Sequence, residues 1–279
     1  MRNLKQQYGP WALITGASSG IGREYARKLA SAGLSVVLVA RNSKKLETLA
    51  YEIKSEYSVG TKVLLADLTT NKGIQIVKEQ TEKLEIGLLV NNAGKEDSDH
   101  FLNIPVENHI SAIDLNIKAP LALTHHFGEK MVQRQKGGII AMSSIVAFQG
   151  VPYIANYAGT KAYDLIFFEG IAAEFKKQNV DVLVVAPGFT DTNLASAYDF
   201  SGTPMKPLSP AYVAHNALNR LGKGRLSVPG PVNKFLFLGG KHFFSRSLNT
   251  LSFGKVFGQV LRHRLKKHPI PIVDGSLNT

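Results

Sequence analysis

A tyrosine and a lysine one helical turn apart are the residues of this chain best placed for acid–base chemistry. Tyr157 and Lys161 begin a predicted helix over Ala155–Gln178, where positions i and i+4 share a face, so the phenol and the ammonium can converge. A nearby cation favours the phenolate, so we expect Lys161 to lower the pKa of Tyr157 from about 10 towards neutrality. Ser143 and Ser144 end a predicted strand, where a hydroxyl can hydrogen-bond a substrate carbonyl.

A glycine-rich turn over Thr15–Gly22 lies between the first predicted strand and the first predicted helix. Glycines let the backbone turn sharply and approach a pyrophosphate, and the following helix N-terminus offers N–H donors. The spacing is Gly-x-x-x-Gly-x-Gly, and the turn lacks the lysine of a nucleotide-triphosphate loop. We therefore expect a dinucleotide to bind here.

The residue after the second predicted strand bears on which dinucleotide binds. A site that prefers NAD places an acidic residue there, whereas this chain has Ala40 followed by Arg41, with Lys44 and Lys45 close behind. An arginine at this point can pair with a 2′-phosphate, which favours NADP(H). The alternative is that Arg41 is a solvated residue at the start of a helix.

Short β-branched apolar runs alternate with longer helical patterns from residue 11 to about residue 228. The predicted strands are Trp11–Thr15, Ser35–Ala40, Lys62–Ala66, Gly87–Val90, Gly138–Met142, Asp181–Ala186 and Arg225–Val228. The predicted helices are Ile21–Ala32, Ser43–Glu56, Thr70–Leu84, Ile104–Gln135, Ala155–Gln178 and Ser209–Leu221. This alternation predicts an α/β fold, a doubly wound, Rossmann-like parallel sheet of about seven strands with helices on both faces.

Composition narrows the class of protein. The 279 residues are 44% hydrophobic and 19% charged, which predicts a packed core, and we expect one domain over residues 1–279. There is no cysteine, and the eight histidines show no metal-ligand spacing, so we predict no metal site. The sequence has neither an apolar run of membrane-spanning length nor a signal peptide at its N-terminus, and we expect a cytoplasmic protein.

The net charge of +12 is concentrated near the C-terminus. Twelve Lys and Arg residues lie between Asp199 and Asp274 with no Asp or Glu among them, so we expect a local anionic partner and no nucleic acid. Within this stretch, residues 231–268 form a basic, aromatic C-terminal extension, called the tail below. Its apolar positions recur at helical spacing, which suits peripheral association with an anionic membrane. The tail alternatively covers the substrate cleft or forms a subunit interface.

Two more motifs follow predicted strands, Asn-Asn-Ala-Gly at Asn91–Gly94 and Pro187–Gly188. Together with the glycine turn and the set Ser144…Tyr157-x-x-x-Lys161, they make the chain resemble the short-chain dehydrogenase/reductase family over about residues 8–230.

The resemblance implies a role for each matching residue. Tyr157 would be the general acid/base, Ser144 would orient the substrate, Lys161 would bind the nicotinamide ribose and tune the tyrosine, and Asn116 would hold a proton-relay water. The implied cofactor-binding residues are Gly16, Ser18, Ser19, Gly20, Ile21, Gly22, Arg41, Asp67, Leu68, Asn92, Ala93, Gly94, Tyr157, Lys161, Pro187, Gly188, Thr190 and Thr192.

These observations predict an oxidoreductase that uses NADP(H) to interconvert a ketone or aldehyde and an alcohol. Its substrate would be a moderately lipophilic small molecule, because Tyr198, Phe200 and Met205 lie in the segment expected to line the pocket. We expect a homo-oligomer, a dimer or a tetramer. The alternatives are an NADP(H)-binding scaffold with little catalysis and a membrane-surface adaptor that works through the tail.

Overall fold

Parallel strands form the centre of the molecule, in a computed structural model that describes residues 3–201, 203, 205–235 and 245–267. The strands are β1 (Trp11–Thr15), β2 (Ser35–Ala40), β3 (Thr61–Leu65), β4 (Ile86–Asn91), β5 (Gly137–Met142), β6 (Val180–Val185) and β7 (Leu226–Ser227). They form one sheet in the order β3-β2-β1-β4-β5-β6-β7. The doubly wound, seven-stranded parallel sheet predicted from the sequence is confirmed.

Helices cover both faces of this sheet. They are α1 (Leu4–Tyr8), α2 (Gly20–Ser31), α3 (Ser43–Tyr57), α4 (Asn71–Gln80), α5 (Val106–Ile113), α6 (Ala119–Gln133), α7 (Ala155–Lys176), α8 (Pro210–Arg220), α9 (Arg246–Val260) and α10 (Arg262–Lys267). One face packs against α2, α3 and α8 through residues such as Leu29 and Val213, and the other packs through Phe127 of α6 and Phe168 of α7. The strands are therefore apolar on both sides, as their Val, Leu and Ile content predicts.

The order of strands reverses at β1, which pairs with β2 on one side and with β4 on the other. Connections leave β1 and β4 in opposite directions across the sheet, so a crevice opens at their carboxyl ends. Ligands of doubly wound sheets bind in such a crevice. Thr15, Asn91 and Met142 end three neighbouring strands there.

The helix predicted over Ile104–Gln135 is wrong as a single element. A short 3₁₀ turn precedes α5, and a π-helical segment at Asp114–Lys118 separates α5 from α6. An extra residue in a helical turn rotates the side chains that follow, and such segments are frequent at functional sites. Here the segment buries Asn116 completely.

Other differences concern element ends. The helix predicted over Thr70–Leu84 ends at Gln80, and the last strand contains only Leu226–Ser227. Helix α1 was not predicted, because a helix of this length is too short to be stable alone. Tertiary contacts hold it, since the Tyr8 phenol donates a 2.7 Å hydrogen bond to Asp181.

Candidate active site

The glycine turn has the backbone shape that requires glycine. Gly16 and Gly20 have φ values of +67° and +54°, in the left-handed region that disfavours other residues. A Cβ on Gly16 would lie 2.9 Å from Ala93 Cα, and one on Gly20 would lie 2.9 Å from Thr192 Cγ2. At these two glycines the backbone itself lines the crevice. A side chain at either position would collide with the neighbouring residues.

Gly22 differs from the other residues predicted to bind the cofactor in this turn. It does not line the crevice, because it packs beneath the turn against the Gly16 carbonyl and the Asn92 side chain. Asn92 in turn donates from Nδ2 to the Thr15 carbonyl at 2.9 Å, and its backbone N–H donates to Thr15 Oγ1 at 2.9 Å. The Asn-Asn-Ala-Gly motif thus fixes the shape of the glycine turn, and Gly22 supports that shape.

The N-terminus of α2 fits an anionic group. Its N-cap residue, Ser19, makes no side-chain hydrogen bond to the first turn, so that turn keeps N–H donors for a ligand. Ser18, Ser19, Gly20 and Ile21 line the crevice. With the glycine backbone on one side, this arrangement fits the pyrophosphate of a dinucleotide.

The far end of the crevice carries opposite charges at two strand ends. Arg41 follows β2 and makes no ion pair with another described residue, whereas Asp67 follows β3. Hydrogen bonds from the backbone and side chain of Thr69 lower the pKa of Asp67, and the positive charge of Arg41 contributes to that shift. Arg41, Asp67 and Leu68 all line the crevice, and their contact with a cofactor stays a prediction.

Ser144, Tyr157 and Lys161 converge on the same crevice from two elements. Ser144 follows β5, and α7 presents Tyr157 and Lys161 on successive turns. The Ser144 hydroxyl lowers the pKa of the Tyr157 phenol, and Lys161 Nζ lies 5.8 Å from the centre of the tyrosine ring. The structure therefore brings together the three side chains that the sequence predicted.

The predicted effect of Lys161 on the pKa of Tyr157 is wrong in this structure. Burial raises that pKa, and the charges of Glu96 and Asp164 raise it further, while the Ser144 hydrogen bond lowers it. The phenol is 8% exposed, so its ionised form loses most of its hydration. Tyr157 is consequently protonated at neutral pH.

Lys161 has two fixed partners that explain why its charge does not dominate. Its Nζ donates to the Met142 carbonyl at 2.7 Å and to Asp164 Oδ2 at 3.0 Å. Asp164 was not predicted as a site residue, although it lies three residues after Lys161 and the spacing places both on one face of the helix. The Ser143 hydroxyl donates to the Lys161 carbonyl at 2.7 Å, so it holds α7 and leaves the polar contact with Tyr157 to Ser144.

Asn116 uses its amide within the protein. Nδ2 donates to the Lys95 carbonyl at 2.9 Å and to Thr160 Oγ1 at 3.0 Å, and Oδ1 accepts from the Lys95 backbone at 2.9 Å. Asn116 also borders a small cavity next to Lys161 and does not line the main crevice. Its contacts clamp the loop after β4 to α7, and the relay water remains a prediction.

The loop after β6 forms one side of the crevice. Pro187, Gly188, Thr190 and Thr192 line it, and their contact with a cofactor stays a prediction. Thr190 Oγ1 donates to the Gly188 carbonyl at 3.0 Å, and Thr192 Oγ1 donates to the Thr190 carbonyl at 3.3 Å. These bonds hold the loop over the glycine turn, which Thr192 contacts at Gly20.

The crevice continues into an apolar cavity, and together they enclose about 1350 Å³. Tyr198 and Met205 line this part, as predicted, while Phe200 packs on Phe189 behind it. Helix α9 supplies a wall that the sequence analysis left open. The apolar residues lining the cavity are Ile145, Val146, Phe189, Tyr198, Met205, Phe253, Val256 and Phe257. The described part of the tail therefore covers the cleft.

One carboxyl group in this cavity was not predicted. Glu96 accepts a hydrogen bond from the Tyr198 phenol, and burial raises the pKa of Glu96 to about 7. Glu96 was not predictable from the sequence, because it lies in a run of three charged residues that gives no sign of burial. Its neighbours Lys95 and Asp97 form an ion pair at 3.2 Å.

Among the residues that the structure describes, no group of three or more His, Asp or Glu side chains could hold a metal ion. No helix in the same part of the chain is both long and apolar enough to cross a bilayer.

Comparison with known proteins identifies the family. Residues 10–199 match the family model for short chain dehydrogenases. The 7beta-hydroxysteroid dehydrogenase of Collinsella aerofaciens is 32% identical over 237 residues, covering 83% of this chain and 90% of that protein. The human inactive hydroxysteroid dehydrogenase-like protein 1 is 32% identical over 225 residues, covering 79% and 68%. The structure of a Sphingobium yanoikuyae short-chain dehydrogenase in complex with NADPH has a TM-score of 0.76 and 30% identity, covering 84% and 93%.

The chain therefore belongs to the short-chain dehydrogenase family. Members of this family are oxidoreductases that act on CH–OH and C=O groups and use a nicotinamide cofactor.

Proposed function

We propose that this protein is an NADPH-dependent reductase that interconverts a ketone or aldehyde with its alcohol. The observation that carries the proposal is the convergence of Ser144, Tyr157 and Lys161 on the crevice that the glycine turn also lines. A phenol, a hydroxyl and an ammonium at one point are what carbonyl reduction requires of a protein.

The chain's own residues supply the proton and the orientation, while a bound nicotinamide supplies or accepts the hydride. A phenol is protonated at neutral pH, so Tyr157, whose pKa burial raises further, carries the proton that the carbonyl oxygen takes up. The Ser144 hydroxyl is placed to hydrogen-bond the same oxygen. Lys161 is held by Met142 and Asp164, so its ammonium keeps one position beside the phenol.

The proposed cofactor is NADP(H). Arg41 offers a guanidinium at the end of β2, with no ion-pair partner among the described residues, and Ala40 before it cannot bind a ribose 2′-hydroxyl. The structural relative from Sphingobium yanoikuyae, which was solved with NADPH, is in keeping with this preference.

The proposed substrate is a lipophilic small molecule. Aromatic and aliphatic side chains surround most of the cavity beyond Tyr157, and Phe189, Phe253 and Phe257 form its far wall. A neutral, apolar ketone fits that lining because its burial there removes apolar surface from water. The name of the Collinsella relative gives one such class, the hydroxysteroids.

The rival proposal is a nucleotide-binding scaffold on the same fold. It has a precedent in the human relative, whose name describes it as inactive. Against it stands the complete set of Ser144, Tyr157, Lys161 and Asn116, with Lys161 hydrogen-bonded to the Met142 carbonyl and to Asp164. A scaffold has no use for a buried phenol beside a fixed ammonium.

The decisive experiment removes the phenolic hydroxyl. Tyr157→Phe should lower carbonyl reduction at least about a hundredfold, measured with NADPH and a panel of ketones, aldehydes, steroids and acyl thioesters. The dissociation constant of NADPH should change less than about twofold, because the hydroxyl contributes little to binding the nucleotide. Tyr153→Phe makes the same change four residues earlier and should keep full activity.

Two outcomes would overturn the proposal. Full reduction by Tyr157→Phe would mean that another group donates the proton. NADPH binding by the wild type with no turnover of any compound in the panel would favour the scaffold.

We also propose that the protein forms a homo-oligomer. Helices α5 and α7 are joined by a 3.1 Å hydrogen bond from Asn156 to the His109 carbonyl, and both expose large apolar side chains. The exposed set includes Val106, Ile110, Ile113, Tyr163 and Ile166. Burial of this surface against a second copy would remove it from water.

Finally, we propose that the protein resides in the cytoplasm and that its tail binds anionic membrane surfaces peripherally. The described part of the tail exposes Val232, Phe235, Leu248 and Leu251. Lys255 on α9, and Lys266 and Lys267 on α10, are exposed as well. Apolar side chains with cations around them suit the lipid headgroup region, from which a lipophilic substrate could enter.

A further inference from the structure

A buried carboxylate, Asp164, lies behind the catalytic lysine. Asp164 is 3% exposed, and its Oδ2 lies 3.0 Å from Lys161 Nζ. A lysine has three N–H donors, and the Met142 carbonyl takes a second one at 2.7 Å. The ammonium is thus fixed from behind by two acceptors, which leaves one donor for the crevice that Lys161 lines.

A small cavity of about 10 Å³ adjoins this ion pair. Its lining includes Asn91 and Asp164, and both side chains are more than nine-tenths buried. Asn91 Oδ1 and Asp164 Oδ1 are both without a hydrogen-bond partner among the residues that the structure describes. The cavity is about the size of one water molecule, whose two hydrogens match the two acceptors.

We propose that Asp164 is a positioning residue for Lys161, and that one water hydrogen-bonded to Asp164 Oδ1 and Asn91 Oδ1 completes the anchor. The inference rests on the proposed function, because it gives Lys161 its place beside the phenol. The carboxylate holds the ammonium and balances its charge, while the water links this pair to the end of β4.

The charges around Tyr157 affect the pKa of its phenol. The titratable and charged groups around this phenol are Lys161 and Asp164 on α7, Glu96 after β4 and Tyr198 after β6, with Arg264 of α10 acting on Glu96 and Tyr198. The negative charge of Asp164 disfavours the phenolate form of Tyr157. It also offsets the positive charge of Lys161, which would favour the phenolate. Asp164 therefore contributes to the raised pKa of Tyr157, and removal of its charge should favour the phenolate.

The test is a titration of the phenol in Asp164→Asn. The variant keeps the shape of the side chain and a hydrogen-bond acceptor for Lys161, but it removes the charge. With isotope-labelled tyrosine, the NMR signal of Tyr157 is assigned by its loss in Tyr157→Phe. At one alkaline pH, the ratio of phenolate to phenol should be at least about tenfold higher in Asp164→Asn than in the wild type.

Asp181→Asn is the matched control. It makes the same charge change in an ion pair with Lys176, 3.1 Å long, at the amino-terminal end of β6, and it should leave the titration of Tyr157 unchanged. An unchanged ratio in Asp164→Asn would overturn the proposal, since a purely structural role for Asp164 predicts that result.

A crystal structure of the wild type with NADP⁺ tests the anchor without any variant. We expect the contact between Lys161 and Asp164 to persist, with one water within hydrogen-bonding distance of Asp164 Oδ1 and Asn91 Oδ1. A dry cavity, or a lysine that leaves Asp164, would overturn the proposal. Neither measurement needs turnover, so a failure of the proposed reductase activity remains distinguishable from a failure of this anchor.

Discussion

Glu96 is an ionisable side chain in the largely apolar cavity, and its burial affects how the free energy of unfolding depends on pH. Its pKa is raised by burial from about 4.5 to about 7, so the folded protein holds this proton more tightly than the unfolded chain does. Folding stability therefore falls as pH rises from about 4.5 to about 7 and stays lower above that range.

Glu96→Gln should remove this pH dependence, because glutamine stays neutral and still accepts a hydrogen bond from Tyr198. We expect the variant to melt above the wild type at about pH 8 and to show no such gain at about pH 5. Glu47→Gln, on the surface of α3, is the control for a lost carboxylate. Equal changes in melting temperature at both pH values would show that Glu96 does not carry a raised pKa.

Arg41 is the residue on which the choice of dinucleotide depends. Arg41→Ala should weaken NADPH binding by about tenfold to a hundredfold, the size expected for a lost charge-assisted hydrogen bond. NADH binding should hardly change, because that cofactor lacks the 2′-phosphate. Both dissociation constants can be measured from the fluorescence of the reduced nicotinamide. Lys44→Ala removes an exposed cation from the next turn, and an equal loss in that variant would contradict a specific role for Arg41.

At the scale of elements, the sequence predicted well wherever local pattern and tertiary environment agree. Strands β1 and β2 have the predicted bounds because each is a continuous apolar run between turn residues. The glycine turn was predictable since its positive φ values exclude most other residues. The π segment around Asn116 was not predictable, because its cause is tertiary, namely the amide's bonds to Lys95 and Thr160.

The site divides in the same way. Residue type and spacing were enough to predict Ser144, Tyr157 and Lys161 as site residues. In the structure, α7 and the end of β5 bring the three side chains to one crevice. The raised pKa of Tyr157 was missed, because burial and the charge of Asp164 depend on how α7 packs. The wall that α9 forms was one of three alternatives left open for the tail, since the choice among them depends on how α9 packs on the rest of the molecule.

The tail is the element whose predicted partner can be tested directly. Its exposed cations should attract vesicles that contain phosphatidylserine, and binding should weaken at high salt and be absent with phosphatidylcholine alone. The triple variant with Lys255, Lys266 and Lys267 changed to Glu should lose this binding in a co-sedimentation assay. The matched control changes Lys54, Lys72 and Lys83, which are exposed elsewhere, and should keep it.

Wild-type protein that does not co-sediment with anionic vesicles at low salt would exclude the membrane role. Equal losses in the two triple variants would instead assign the binding to overall charge.

In the molecule as a whole, the apolar residues of the tail and those of the α5–α7 surface are expected to have different partners. The inner side of α9 is used within one chain, since Phe253 and Phe257 line the cavity. The apolar side chains on α5 and α7 have no such use in the described structure, and Ile166 is 71% exposed. A self-association surface is therefore expected on α5 and α7, at a distance from the residues that close the cleft.

Ile166→Glu tests that expectation, because a carboxylate in a buried interface would lose its hydration without gaining a partner. We expect the wild type to sediment as a dimer or tetramer in analytical ultracentrifugation and the variant to shift towards a smaller species. Tyr51→Glu places the same charge at an exposed aromatic position on α3 and should leave the assembly intact. A monomeric wild type would exclude the oligomer, whereas an unchanged assembly in Ile166→Glu would move the interface to another surface.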